Sequence, residues 1–270
     1  MYLFSTHPII AELGAAQMTP SYPPAHGLLN GKVALVTAAA GAGIGYATAK
    51  RCAEEGATVV ISDRHAERLS EAADSLTAIT GVKPLAVSCD VTSESQVLAL
   101  FDASLEAYGR IDIVVNNAGL GGAAELAEMA DEQWSAVLDV TLNGTMRCTR
   151  AALRHMIPRR SGVIVNNASV LGWRAQRGQS HYAAAKAGVM ALTRCVALEA
   201  APHGIRVNAV APSSAGHPVT TGDLLAELTA REAFGRPAEP WEVANVIVFL
   251  ASEYATYMTG EVVSVSSQHP

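Results

Sequence analysis

The sequence predicts an α/β fold, a doubly wound sheet of seven parallel strands flanked by helices in a single domain. Three observations predict it. Short apolar runs alternate along the chain with helical segments. The residues that follow these runs are small or polar, with little to contribute to packing. The 270 residues, half of them hydrophobic, suffice for one large core.

The elements follow in order. KVALVT, beginning at Lys32, is the first strand, and Gly43 to Glu55 is helical with a stop at Gly56. ATVVIS is the second strand, and Ala66 to Ile79 the second helix, closed by Gly81. PLAVSC, IDIVVN, GVIVNN, IRVNAV and VVSVS repeat the theme, with helical segments between most of them. This is a Rossmann-type arrangement, with helices on both sheet faces. In residues 1–30, Pro8, Gly14, Pro20, Pro23, Pro24 and Gly27 interrupt any periodic element. They read as an N-terminal extension, a partly disordered tail ahead of a domain over 31–270.

Composition excludes several functions. A net charge of −6 gives no general affinity for nucleic acid or an anionic membrane. Cys52, Cys89, Cys148 and Cys195 lie far apart with no C-x-x-C pair, so no metal site is expected and a reduced, cytoplasmic protein is. The start MYLFSTHPII lacks the basic residues and apolar core of a signal peptide. No apolar run approaches the roughly 20 residues that span a bilayer.

Ligands bind beyond the carboxyl ends of the strands in such a sheet. After the first strand, Gly41, Gly43 and Gly45 surround the start of a helix near Ile44. Glycine lets a phosphate approach the backbone, and the helix N-terminus offers free N–H groups to it. The strict G-x-G-x-x-G fingerprint is absent, because Tyr46 holds the third glycine's place. Asp63 ends the second strand, where a carboxylate can bond a ribose 2′-hydroxyl and repel a 2′-phosphate. That favours NAD, and Arg64 beside it keeps NADP as the alternative. The competing reading makes Asp63 the N-cap of the next helix.

Tyr182 and Lys186 in HYAAAKAG stand four apart, on one helix face. An ammonium beside a phenol lowers the phenol pKa from about 10 and makes it a usable acid or base. Ser169, after the fifth strand, can hydrogen-bond the same substrate oxygen. Alone, Y-x-x-x-K is as easily a solvated helix face.

Together these residues resemble the short-chain dehydrogenase/reductase family. NNAG at Asn116–Gly119, Asp90, Ser169, Y-x-x-x-K and TGEVVSV stand in the family's order and spacing, over Lys32 to Val265. The resemblance implies that Tyr182 protonates a ketone oxygen in reduction and deprotonates an alcohol in oxidation. Lys186 would lower its pKa and bond the nicotinamide ribose, and Ser169 would polarise the substrate oxygen. Asp90 and Val91 would hold the adenine. Asn117, Ala118 and Gly119 would flank the adenosine ribose, and Pro212, Ser213 and Ala215 would meet the nicotinamide.

The chain departs from the family at three places. The family loop T-G-x-x-x-G-x-G is one residue longer here, with Ala38 at its first glycine, and Gly41 is expected to serve where Ala38 cannot. The family's relay asparagine is Thr141, and Asn143 falls on another helix face. Thr141 is expected to orient a water by its hydroxyl or its backbone, leaving a modified relay. The threonine after the sixth strand becomes His217, read either as facing the substrate or as an exposed loop residue.

Trp173, Arg174, Arg177 and Gln179 in GWRAQRGQSHY are the substrate candidates. The arginines either receive a carboxylate or the phosphates of coenzyme A, or remain solvated. TAAAGAGIG, VTLNG, NNASVLGWRAQ and the ending SSQHP resemble actinobacterial reductases of steroid degradation that act on ring-hydroxyl CoA thioesters. A 3-oxoacyl-thioester reductase is the alternative, against which Asp63 counts because NADPH is usual there. A non-catalytic dinucleotide sensor shares the fold, and Ser169, Tyr182 and Lys186 count against it. The small residues of the Ala-rich helix Tyr182 to Ala201 permit close packing against a partner, or within one subunit; the resemblance implies a homotetramer, with the last strand at another interface.

Overall fold

The strands are β1 (Val33–Thr37), β2 (Thr58–Asp63), β3 (Leu85–Ser88), β4 (Ile113–Asn116), β5 (Gly162–Asn167), β6 (Ile205–Pro212) and β7 (Val262–Val265). They form one parallel sheet in the order β3-β2-β1-β4-β5-β6-β7. The structure, a computed structural model, describes residues 20–215 and 229–267. His217 and the first nineteen residues of the N-terminal extension lie outside them. Strand order runs outward from β1 to β3 and then returns to β4. The connections after β1 and β4 therefore diverge and leave a crevice at their carboxyl ends.

Helices α1 (Ile44–Glu54), α2 (Ala66–Thr80) and α7 (Pro240–Ala251) cover one face. Helices α3 (Glu94–Tyr108), α5 (Gly144–Arg159) and α6 (Ser180–Ala200) cover the other. Alternate strand residues divide between the two cores: Ala34, Val36 and Ile61 face the first, Leu35, Val60 and Val114 the second. The short α4 (Asp131–Leu138) runs through a π-helical segment, Asp139–Asn143, into α5. The sequence carries no spacing signal for that extra-wide turn. Gly81 closes α2 in a left-handed conformation at φ +74°, as its glycine suggested.

From Pro20 onward, the N-terminal extension is a strap and not a tail. Arg51, buried on α1, donates Nη1 to the Pro23 carbonyl and Nη2 to the Pro24 carbonyl, each at 2.9 Å. Its neighbour Glu55 accepts the backbone N–H of His26 and Leu28. Burial pushes the Glu55 carboxyl up, but those N–H groups and Arg51 outweigh it and hold it below the usual range. Tyr22 meets Trp241 of α7 edge-on at 5.3 Å and donates its hydroxyl to Glu54 of α1. Leu29 is fully buried in the first core. Proline carbonyls have no helix or ladder partner, so a buried guanidinium can take two at once; composition alone hides this.

Leu29→Ala should lower the unfolding free energy by about 2–5 kcal/mol, measured by denaturant titration with an unchanged slope. Removal of residues 1–30 should destabilise the fold at least as much.

Candidate active site

The crevice between the ends of β1 and β4 holds a cleft of about 410 Å³. Gly43, Ile44, Gly45, Asp63, Arg64, Asp90, Val91, Asn117, Ala118, Gly119 and Ala215 line it, as the sequence suggested. Ala38, Ala40, His65, Arg68, Cys89, Leu120 and Val140 join them. His65 and Arg68 were missed because only the observed start of α2 turns both toward the crevice. Gly41 and Pro212 are not in the lining, and Ser213 belongs to a second cleft.

The loop after β1 is built differently from the expectation. Ala38 itself takes the left-handed conformation, at φ +50°, so Gly41 does not stand in for it. The Asn117 side chain holds Ala38 there by donating Nδ2 to the carbonyls of Thr37 (3.2 Å) and Ala38 (3.0 Å). The Thr37 hydroxyl accepts the N–H of Asn117 and Ala118, locking β1 to β4. Gly45 is the glycine the loop cannot replace, because a Cβ there would collide with the Ala38 carbonyl and the Asn117 amide. Gly43 caps α1 with no side chain over its N–H groups, and no acidic residue stands in the first turn. This bare helix end in a glycine cradle fits a pyrophosphate.

Asp63 is not the cap of α2; His65 holds that position. The Asp63 carboxylate accepts the N–H of His65 through Oδ1 (3.0 Å) and that of Ala40 through Oδ2 (3.4 Å), at the cleft wall. Its remaining lone pairs can take ribose hydroxyls. Asp90 accepts both the N–H and the hydroxyl of Thr92, which hold its carboxyl below the usual range.

Tyr182 lies in the first turn of α6 and Lys186 one turn on. Ser169 and Tyr182 line the same cleft, and the Ser169 Oγ accepts the N–H of Leu171 at 3.2 Å. Lys186 Nζ sits 5.5 Å from the Tyr182 ring centre and donates to the Asn167 carbonyl at 2.5 Å. Burial pulls the Lys186 pKa from its ordinary 10.5 to about 8. Burial raises the Tyr182 pKa above its ordinary value, and the Ser169 bond opposes it. This corrects the expectation of a depressed phenol: the ammonium is itself dehydrated and turned toward a carbonyl.

Thr141 is buried inside the π-helical segment. Its hydroxyl accepts the Leu120 N–H (3.0 Å) and donates to the Leu120 carbonyl (3.3 Å). Its carbonyl accepts the Thr145 hydroxyl at 2.8 Å. The Thr141 hydroxyl thus clamps the loop after β4. Asn143 is exposed and donates to Asp139.

A second cleft, about 830 Å³, meets the first at Ala215. Ser169, Tyr182, Arg174, Arg177, Gln179 and Ser213 line it, with Glu125 and Arg231. Trp173 is exposed and outside this lining, so the structure does not bring it to the site. Gln179 donates to the Gly122 carbonyl at 2.7 Å and braces the wall. Arg177 pairs with Glu125 at 2.6 Å at the mouth. Among the described residues no cluster of His, Cys, Asp and Glu could hold a metal.

Comparison with known proteins agrees with this geometry. The family described as Enoyl-(Acyl carrier protein) reductase matches residues 38–267. The chain is 59% identical to a (5R,7aS)-5-hydroxy-7a-methyl-1-oxo-2,3,5,6,7,7a-hexahydro-1H-indene-carboxyl-CoA reductase of Mycobacterium tuberculosis, covering 94% of this chain and 98% of the relative. It is 44% identical to a cis-4-hydroxycyclohexanecarboxylate dehydrogenase of Sinomonas cyclohexanicum, over 87% and 94%. The crystal structure of a short chain dehydrogenase from Mycobacterium smegmatis superposes with a TM-score of 0.85 at 57% identity, over 94% and 99%.

Gly45→Ala should weaken dinucleotide binding by about tenfold or more, the effect of 1–3 kcal/mol of overpacking. Ala38→Gly should leave it within about twofold, because relief of left-handed strain offsets the added freedom of the unfolded chain. Fluorescence titration reads both. Lys186→Met should raise the melting temperature at pH 7. The wild type buries a lysine that the unfolded chain keeps charged, and that cost fades as pH rises from about 8 to 10.5. Melting curves across that range should show the two proteins converging.

Proposed function

We infer the reaction from kinship: the chain belongs to the short-chain dehydrogenase/reductase family. It interconverts a secondary alcohol and a ketone with a nicotinamide dinucleotide. The observation that carries this reading is Ser169 and Tyr182 lining one cleft with Lys186 one turn along α6, beside a glycine-cradled helix end.

When bound, the dinucleotide supplies or receives the hydride. The chain's own residues orient it and handle the proton. The end of α1 would hold the pyrophosphate, Asp63 the adenosine ribose, and Asp90 with Val91 the adenine. Tyr182 donates its hydroxyl proton to the ketone oxygen in reduction and accepts the alcohol proton in oxidation. Ser169 bonds the same oxygen and polarises it. Burial alone would keep the phenol too weak an acid. Ser169 opposes that penalty, and Lys186, brought down to about 8 by burial, takes up and returns protons at working pH.

NAD is the cofactor favoured, because a 2′-phosphate would meet the Asp63 carboxylate; Arg64 and Arg68 line the same cleft. The substrate proposed is a steroid-derived ring alcohol carried as a CoA thioester. The names of the two relatives quoted above both place a hydroxyl on a carbon ring that bears a carboxyl function. Arg174, Arg177 and Arg231 around the larger cleft suit the coenzyme's phosphates. The proposed homotetramer would use a groove between α5 and α6 whose apolar residues include Leu153, Ile157, Leu192 and Val196. No helix among the described residues is long and apolar enough to cross a membrane.

The test is dinucleotide reduction with ring hydroxyacyl-CoA thioesters and their free acids. The thioester should be preferred, and Tyr182→Phe should lower kcat by about 10²–10⁴-fold. Asp63→Ala should move the NAD-to-NADP ratio of kcat/KM toward NADP by about tenfold or more. Equal use of both cofactors by the wild type would reject the assignment to NAD.

A further inference from the structure

The two NNA stretches form paired rungs at the carboxyl ends of β4 and β5. Asn116 lies opposite Asn166 in the parallel register. Their side chains bond each other at 2.8 Å, and Asn116 also bonds Thr149 of α5 and Asn166 bonds Thr193 of α6. The next residues, Asn117 and Asn167, form a second rung in which Asn167 Nδ2 donates to Asn117 Oδ1 at 2.9 Å.

The direction of this second rung is fixed. Asn117 must present its NH₂ to the carbonyls of Thr37 and Ala38, so its Oδ1 can only accept. Asn167 must therefore present Nδ2, which leaves its own Oδ1 buried without a partner. An unanswered buried carbonyl is destabilising, a cost that an apolar side chain would avoid. Meanwhile the Asn167 main-chain carbonyl accepts Lys186 Nζ. Asn167 thus touches Lys186 with its backbone and, through Asn117, the strained Ala38 loop with its side chain.

We propose that Asn167 is a positioning residue that couples the dinucleotide-binding loop to the placement of Lys186. A bound dinucleotide would hold the Thr37–Ala38 carbonyls, and with them Asn117, Asn167 and the carbonyl that receives the lysine. The inference builds on the dehydrogenase reading for the role of Lys186, but its test requires no turnover.

Asn167→Leu removes the donor at similar volume, and Asn167→Asp replaces it with an acceptor of the same shape. NAD binding by calorimetry should weaken about tenfold in both. The Lys186 titration, followed by NMR on lysine-labelled protein beside Tyr182, should move in opposite directions. It should fall in the leucine variant, whose acceptor carbonyl is less firmly held, and rise in the aspartate variant, which adds a negative charge. Variants that bind NAD like the wild type, or that leave the Lys186 titration unmoved, would overturn the proposal, whatever their melting temperatures. If the leucine variant does not fold, the aspartate variant decides alone. A wild type that binds NAD but oxidises no alcohol would remove the dehydrogenase reading and leave this coupling standing on its binding and NMR results.

Discussion

The parallel pairing of β4 with β5 is the constraint on which the site depends. It sets Asn116 opposite Asn166 and brings Asn117 beside Asn167. Successive strand residues point to opposite faces, so one rung ties the sheet to α5 and α6 while the other reaches the loop after β1. A slip of one residue would exchange the faces and break both rungs. The lysine's acceptor and, through Asn117, the Ala38 carbonyl stand where this register puts them.

Charge is arranged by exclusion of water as much as by pairing. Lys186 is buried and Tyr182 partly so, and the same burial moves their pKa values apart, the lysine down to about 8 and the tyrosine above its ordinary value. The site is therefore stabilised by its neighbours and not by itself. The strap from Tyr22 to Leu29, with Arg51 and Glu55 beneath it, adds such support on the far side of α1.

Much of this was legible in the residues. The strand and helix order, the glycine-flanked start of α1, Asp63 at the end of β2 and the Ser169–Tyr182–Lys186 set all follow from local pattern and motif spacing. Ala38 was not legible, because its left-handed backbone is held by Asn117, far along the chain. Neither was Thr141, whose clamp on Leu120 needs the π-helical turn. Trp173 lay beside the right residues in sequence yet is exposed, since neighbours along an irregular loop need not share a face.

By itself the sequence determined the layered α/β architecture, the family and the candidate residues of its site. These depend on periodicity and on residues a few positions apart, which local sterics and hydrogen bonding decide. Only the tertiary structure decided which backbone carries the strain, where Lys186 finds its acceptor and how the extension is bound. Those depend on partners brought together across the sheet, and their hydrogen bonds exist only once β1, β4 and β5 lie side by side.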